Sequence, residues 1–138
     1  MTEKTLFLEL WHHANLYIDK AYCPYSNFPV VCALKTESGK IVGSCNIENS
    51  SYSLCLCAET NAIMKAISEK KELITDLLVY APKLDYCPPC GACRQRIAEF
   101  SDDNTVIYMC KSNQDYKTVK MKDLLPGQFS LQQDSTTT

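Results

Sequence analysis

The sequence predicts a single α/β domain in three layers, a central mixed β-sheet flanked by helices. Three observations predict it. The chain has 138 residues, inside the usual range for one domain. Segments with helical apolar spacing are interleaved with short β-branched runs, which calls for helices packed on a sheet. No internal repeat and no linker interrupts the pattern, so one domain over 1–138 is expected, with a polar tail over 131–138.

Taken in order, residues 4–20 carry Leu6, Leu10, Ala14, Tyr17 and Ile18 at three- and four-residue steps, an amphipathic helix. Residues 21–29, AYCPYSNFP, form a Pro-punctuated loop. Val30–Leu34 and Ile41–Ile47 are β-branched-rich runs around Glu37-Ser38-Gly39-Lys40, a hairpin signal. Residues 57–70 repeat Ala58, Ala62 and Ala66 with Ile63 and Ile67, again a helix. Leu77–Ala81 reads as a buried strand, Cys90–Phe100 as a helix and Val106–Cys110 as a further strand. A weaker strand over Lys117–Met121 and a turn of helix before Pro126-Gly127 complete the order.

Composition excludes several classes. Pro and Gly total ten residues, too few for collagen or low-complexity disorder. No apolar run approaches the roughly 18–20 residues that span a bilayer. The N-terminal MTEKTLFLELWHH lacks a basic region before a clean apolar stretch, so it does not read as a signal peptide, and a cytoplasmic location is expected. Fourteen basic residues face 16 acidic ones, a net charge of −2. A nucleic-acid binder usually carries a basic excess, so a small-molecule partner is expected, with neither a nucleic-acid polymer nor a membrane.

Nine cysteines is a high count and an odd one. In a reducing compartment it points to metal binding or catalysis rather than a disulfide framework. Cys87, Cys90 and Cys93 form two overlapping C-x-x-C pairs in CPPCGAC. A cysteine at a helix N-terminus ionises readily, and the thiolate is the metal-binding form. Cys90 and Cys93 share one face of a helix start. Cys57, 33 residues earlier at the start of another helix, supplies a third ligand. Three protein ligands plus water is the catalytic zinc pattern; four, with Cys87 added, is the structural one. Glu59 lies two residues past Cys57, beside the metal rather than on it. A carboxylate there can move a proton between water and substrate. Zinc nucleobase deaminases use this device, a non-ligand Glu with an H-x-E…P-C-x-x-C signature; this chain has Cys57-Ala58-Glu59 and Pro89-Cys90-Gly91-Ala92-Cys93.

On these motifs the chain resembles the small zinc-dependent cytidine deaminases, over about residues 10–130. The resemblance extends to Ala21-Tyr22-Cys23-Pro24-Tyr25-Ser26-Asn27-Phe28-Pro29-Val30, similar to A-Y-x-P-Y-S-x-F-x-V. It includes Gly43-Ser44-Cys45-Asn46-Ile47-Glu48-Asn49, similar to G-x-N-x-E-N, and Leu124-Leu125-Pro126-Gly127-Gln128-Phe129, similar to L-L-P-x-x-F. It implies one zinc per chain on Cys57, Cys90 and Cys93, and Glu59 as proton shuttle. It implies Asn46 and Glu48 on the ribose 3′-hydroxyl, Phe28 against the base and the Ala58 N–H on the base carbonyl. It also implies a homotetramer in which Tyr52 and Phe129 serve neighbouring subunits. The implied reaction is hydrolytic deamination of cytidine and deoxycytidine in pyrimidine salvage. Asn46 and Glu48 two apart on a strand would share a face.

Two positions depart from the family pattern. Pro88 stands where relatives often have Ser. Thr60 stands where many all-cysteine members have Arg, which offsets the formal minus-one charge of zinc with three thiolates. Thr60 carries no charge, and Arg94, beside Cys93, is expected to take over with help from the helix N-termini. The rivals are a blasticidin-S-type deaminase, a polynucleotide-editing deaminase and a zinc-stabilised binding module without turnover. Glu59 argues against the last, since a structural site has no need of it.

Overall fold

The computed structural model describes residues 1–132; the expected polar tail lies, from residue 133 on, outside the described residues. Its elements are α1 (Glu3–Asn15), β1 (Val31–Thr36), β2 (Ile41–Cys45), α2 (Ala58–Glu69), β3 (Ile74–Tyr80), α3 (Gly91–Glu99), β4 (Ser101–Cys110), β5 (Tyr116–Lys120) and α4 (Met121–Leu124). The five strands form one sheet in the order β2-β1-β3-β4-β5. Only the β3–β4 pair is parallel. The predicted mixed sheet flanked by helices is the observed one.

Strand alternation sorts the core into two layers. Val31 and Ala33 of β1, Leu78 of β3, and Tyr108 and Cys110 of β4 face Phe7, Leu10 and Ala14 of α1. Cys32 and Leu34, Leu77 and Val79, and Ile107 point the other way. They meet Ala58, Ala62, Ile63 and Ala66 of α2, Ile97 of α3, and Met121 and Leu124 of α4. The small alanines of α2 let that helix lie close to the sheet.

Several boundaries differ from expectation for identifiable reasons. The first helix stops at Asn15, and Tyr17 and Ile18 fall on a tighter turn: the Tyr17 N–H bonds to the Ala14 carbonyl, three residues back, and Ile18–Lys20 is 3-10 helix. The apolar spacing survives this tightening, so it does not report it. The strand expected to reach Ile47 ends at Cys45; Asn46 turns its amide toward the preceding loop, and Ile47 makes isolated bridges to Tyr22 and Leu56. β4 begins five residues before Val106. Its register against β3 runs from Ile74↔Ser101 to Asp76↔Val106, so residues 102–105 bulge out of the ladder. Asp102, Asp103 and Asn104 in that bulge are exposed, which hides it from apolar patterning.

Gly43 and Gly39 are required by local geometry. A Cβ on Gly43 would lie 2.7 Å from the His13 carbonyl oxygen and 2.9 Å from the Tyr17 ring, so β2 admits α1 only without a side chain there. Gly39 takes a φ of 94° in the β1–β2 hairpin, a conformation that suits glycine.

Topology positions the site. β2 and β3 both run antiparallel to β1, hence parallel to each other. The segments leaving their C-terminal ends lead into α2 and α3, on the same face of the sheet. Both helices therefore begin at one edge, where open α/β sheets place ligands.

Candidate active site

Cys57 is the N-cap of α2 and Cys90 the N-cap of α3. Neither side chain caps its own helix, which leaves both sulfurs free to face outward. Cys93 lies in the first turn of α3 and is fully buried. The three sulfurs lie within 4.8 Å of one another, and those of Cys57 and Cys90 are 3.9 Å apart. Thiolates around one tetrahedral zinc at about 2.3 Å are separated by roughly 3.8 Å. The donor set therefore fits a single zinc ion. All nine cysteines are free thiols. Cys87 does not join the trio; its thiol donates to the Pro88 carbonyl at 3.6 Å. Among the described residues the group that could hold a metal ion is Cys57, Cys90 and Cys93, without Cys87.

Electrostatics at the trio are those of crowded acids. Before metal binds, the closeness of the two sulfurs draws Cys57 below its ordinary value and pushes Cys93 well up. Burial pushes Cys87 up to about 11. Metal binding resolves the crowding by displacing protons.

Glu59, in the first turn of α2, is 4% exposed. Burial raises its carboxyl above the ordinary value, opposed by its own backbone N–H and by the Cys93 thiol. Glu59, Ala58, Cys57 and Cys90 line one cavity of about 220 Å³ together with Asn46 and Glu48. The remaining wall, with Val30, Leu56, Val79 and Pro88, is mostly apolar. A second cavity of about 260 Å³ shares Glu48 and Cys55 with the first and is bounded by Tyr25, Ser26 and Tyr52.

Asn46 and Glu48 reach the cavity from beyond the end of β2, rather than from a strand face, and both also pin the 21–30 loop. Asn46 accepts from the Val30 N–H at 3.0 Å and donates to the Phe28 carbonyl at 2.9 Å. Glu48 Oε1 accepts from the N–H groups of Tyr25 and Ser26 at 3.1 and 3.2 Å, and Oε2 accepts from the Ser26 hydroxyl. That hydroxyl is the main reason the Glu48 carboxyl sits below its usual range.

The other expected side chains stand outside the wall of the first cavity, and of them Tyr52 bounds the second. Phe28 packs against the core beside Val30. Tyr52, 71% exposed, meets Tyr25 edge-on with ring centroids 5.7 Å apart. Phe129 is 67% exposed, and its carbonyl accepts from Gln95 Nε2 at 3.0 Å. Arg94 directs its guanidinium at carbonyls, Pro89 at 2.9 Å and Leu124 at 3.1 Å, and at no ligand sulfur among the described residues. Thr60 is the residue beside a sulfur, 3.7 Å from Cys93. Sequence reasoning missed the wall formed by Val30, Cys55, Leu56 and Val79; only the sheet order brings these segments together. It also missed Ser26, although the Tyr25-Ser26 pair just ahead of Phe28 is part of the A-Y-x-P-Y-S-x-F-x-V pattern.

Among the described residues no helix is long and apolar enough to cross a membrane. The family model for the cytidine and deoxycytidylate deaminase zinc-binding region matches residues 6–110. The chain is similar to the cytidine deaminase of Sporosarcina psychrophila, 45% identical over 112 residues, covering 81% of this chain and 82% of that one. It is 41% identical over 110 residues to the cytidine deaminase of Halalkalibacterium halodurans, covering 80% and 83%. Identity to the blasticidin-S deaminase of Bacillus cereus is 28% over 109 residues, covering 73% and 76%. The fold is similar to that of the cytidine deaminase from Burkholderia pseudomallei, with a TM-score of 0.82 and 35% identity, covering 94% of this chain and all of that one. With the matching family model spanning residues 6–110 and relatives above 40% identity over four fifths of the chain, the three cysteines gathered at two helix starts fall in place: the chain belongs to the zinc-binding cytidine and deoxycytidylate deaminase family.

Proposed function

We propose that this chain, as one catalytic domain over 1–138, hydrolyses cytidine and 2′-deoxycytidine to uridine and 2′-deoxyuridine, releasing ammonia, in cytoplasmic pyrimidine salvage. The observation that carries the reading is Glu59, buried and anionic when ionised, in one cavity wall with two zinc-ligand cysteines and with Asn46 and Glu48. Zinc, held by Cys57, Cys90 and Cys93, supplies Lewis acidity toward the attacking water. Glu59 takes a proton from that water as it adds to C4 of the base. It delivers that proton to N3, then moves the remaining proton of the added hydroxyl to the amine, so that the C4 carbonyl forms as the C4–N bond breaks and ammonia leaves. The Ala58 N–H, at the first position of α2, donates to the base carbonyl; Phe28, packed against the core beside the wall residue Val30, meets the base only if its ring turns toward the cavity.

Hydrogen-bonding capacity supports Asn46 and Glu48 as the sugar-binding pair. The loop uses one acceptor site and one donor of Asn46, leaving one of each. It uses three of roughly four lone-pair sites on Glu48, leaving one for the 3′-hydroxyl. Because only the 3′-hydroxyl is read, ribose and deoxyribose are both accepted. The walls of the two cavities contain no Lys or Arg. That supports a neutral nucleoside over a nucleoside monophosphate, which would meet the Glu48 carboxylate without a cation. The higher identity to cytidine deaminases than to a blasticidin-S deaminase supports the cytidine reading.

A homotetramer is part of the proposal. Tyr22, Ile47 and Leu56 are linked by backbone bridges, and all three are exposed apolar residues. With Tyr52 nearby on the Tyr25 ring, they form a surface suited to a second copy. Exposed Tyr52 and Phe129 are then free to serve a neighbour's site. The test is to count zinc per chain on the purified protein and follow loss of cytidine absorbance. One zinc with turnover of both nucleosides is expected. One zinc with no turnover of either would overturn the substrate assignment, and no zinc would overturn the metal reading.

A further inference from the structure

Thr60 is 5% exposed in the first turn of α2. At that position no preceding helical turn offers its hydroxyl a carbonyl to bond back to. Its Oγ1 lies 3.7 Å from Cys93 Sγ, its one hydrogen-bond partner among the described residues, and either atom can donate while Cys93 is a thiol. A thiolate can only accept, so with Cys93 deprotonated the hydroxyl is the donor. Arg94, the neighbouring cation, is committed to the carbonyls of Pro89 and Leu124.

We propose that Thr60 is a positioning residue for the metal centre, its hydroxyl donating to the Cys93 thiolate. The inference rests on the reading that Cys57, Cys90 and Cys93 hold zinc. A donor on a thiolate withdraws electron density from it, so a neutral hydroxyl moderates the negative charge of a three-thiolate site. The hydroxyl also fixes the direction of the Cys93 side chain, linking α2 to α3 through the outer shell of the metal.

The test uses Thr60→Val, which keeps the shape and removes the donor, and Thr60→Ser, which keeps the donor and removes the methyl. Each is loaded with cobalt(II) for its thiolate-to-metal charge-transfer band and with zinc for a chelator-competition titration. Thr60→Val should move the band to longer wavelength and weaken zinc retention by about tenfold. Thr60→Ser should follow the wild type in both. If Thr60→Val matches the wild type while Thr60→Ser does not, the residue acts by packing and the inference is overturned; matching spectra and affinities in all three proteins also overturn it. Should Thr60→Val fail to fold, Thr60→Ala, which also lacks the hydroxyl, must show the shifted band. Wild-type protein that takes up neither metal would overturn the zinc reading itself, a result distinguishable from the others.

Discussion

Replacing Glu59 by Gln separates proton transfer from shape. The side chain is 4% exposed and lines the cavity, so an isosteric amide leaves the wall in place. It removes a carboxylate whose charge opposes ionisation of the Cys57, Cys87 and Cys93 thiols. Those thiols ionise more readily in the variant, so zinc should be retained at one per chain. The rate should not survive. General acid–base catalysis contributes about 10²–10⁴-fold, and Glu59 is assigned two proton deliveries in each turnover. A fall in kcat toward the upper part of that range, about 10³–10⁴-fold or roughly 4–5.5 kcal/mol of barrier, is expected. KM should change little, because the proposed sugar contacts belong to Asn46 and Glu48. Zinc content by metal analysis and steady-state kinetics on cytidine make the comparison. Near-normal turnover at full zinc would refute the proton-shuttle assignment. Loss of zinc along with rate would instead make Glu59 a ligand.

Gly43→Ala should destabilise the fold by about 1–3 kcal/mol, because the added Cβ meets a backbone oxygen at 2.7 Å that cannot swing away. A thermal melt should read a drop of roughly 5–10 °C; an unchanged melting temperature would mean that α1 does not pack as closely as described. Ser26→Ala removes the main cause of the lowered Glu48 pKa. Since the folded-state value is depressed, Glu48 contributes stability above its unfolded pKa and loses it as pH falls through the folded value. The variant's Glu48 carboxyl should titrate higher, nearer the ordinary carboxylate range, in a carbon-13 NMR titration, and an identical titration would exclude the Ser26 contact. Removing zinc by chelation should lower stability by about 4 kcal/mol relative to free zinc at a thousand times Kd. Scanning fluorimetry with and without chelator reads this, and coincident melts would argue against metal at the trio.

What the sequence revealed depended on how local each feature is. The trio was legible because Cys90 and Cys93 are one helical turn apart and Cys57 opens the other helix with Glu59 close behind. The cavity wall was not, because Val30, Leu56 and Val79 lie far apart in sequence and meet only through the strand order around β1. Helix and strand types followed the apolar period, while their ends did not. Tyr17 and Ile18 keep helical spacing through a 3-10 turn, and the bulge at residues 102–105 carries polar side chains that no core pattern marks. Arg94 shows the hazard of adjacency. It is next to Cys93 in sequence, yet neighbours on a helix diverge by about 100°, and its guanidinium goes to Pro89 and Leu124.

The same divergence explains how α2 serves two purposes in one turn. Glu59 and Thr60 are consecutive, so one side chain reaches the cavity wall while the next meets Cys93 across the gap to α3. Ala58 before them is the first residue of α2 and lines the cavity, so its N–H has no partner within the helix. The partial positive ends of α2 and α3 converge because β2 and β3 run parallel and both crossovers take the same face of the sheet. Two helix dipoles and a neutral hydroxyl would then support three thiolates on a bound zinc without adding a side-chain cation to the site. A second cation beside the metal would draw Glu59 further down and make it a weaker base. Charge compensation by dipoles allows burial to hold the Glu59 carboxyl above its ordinary value, which is the direction proton shuttling near neutral pH requires.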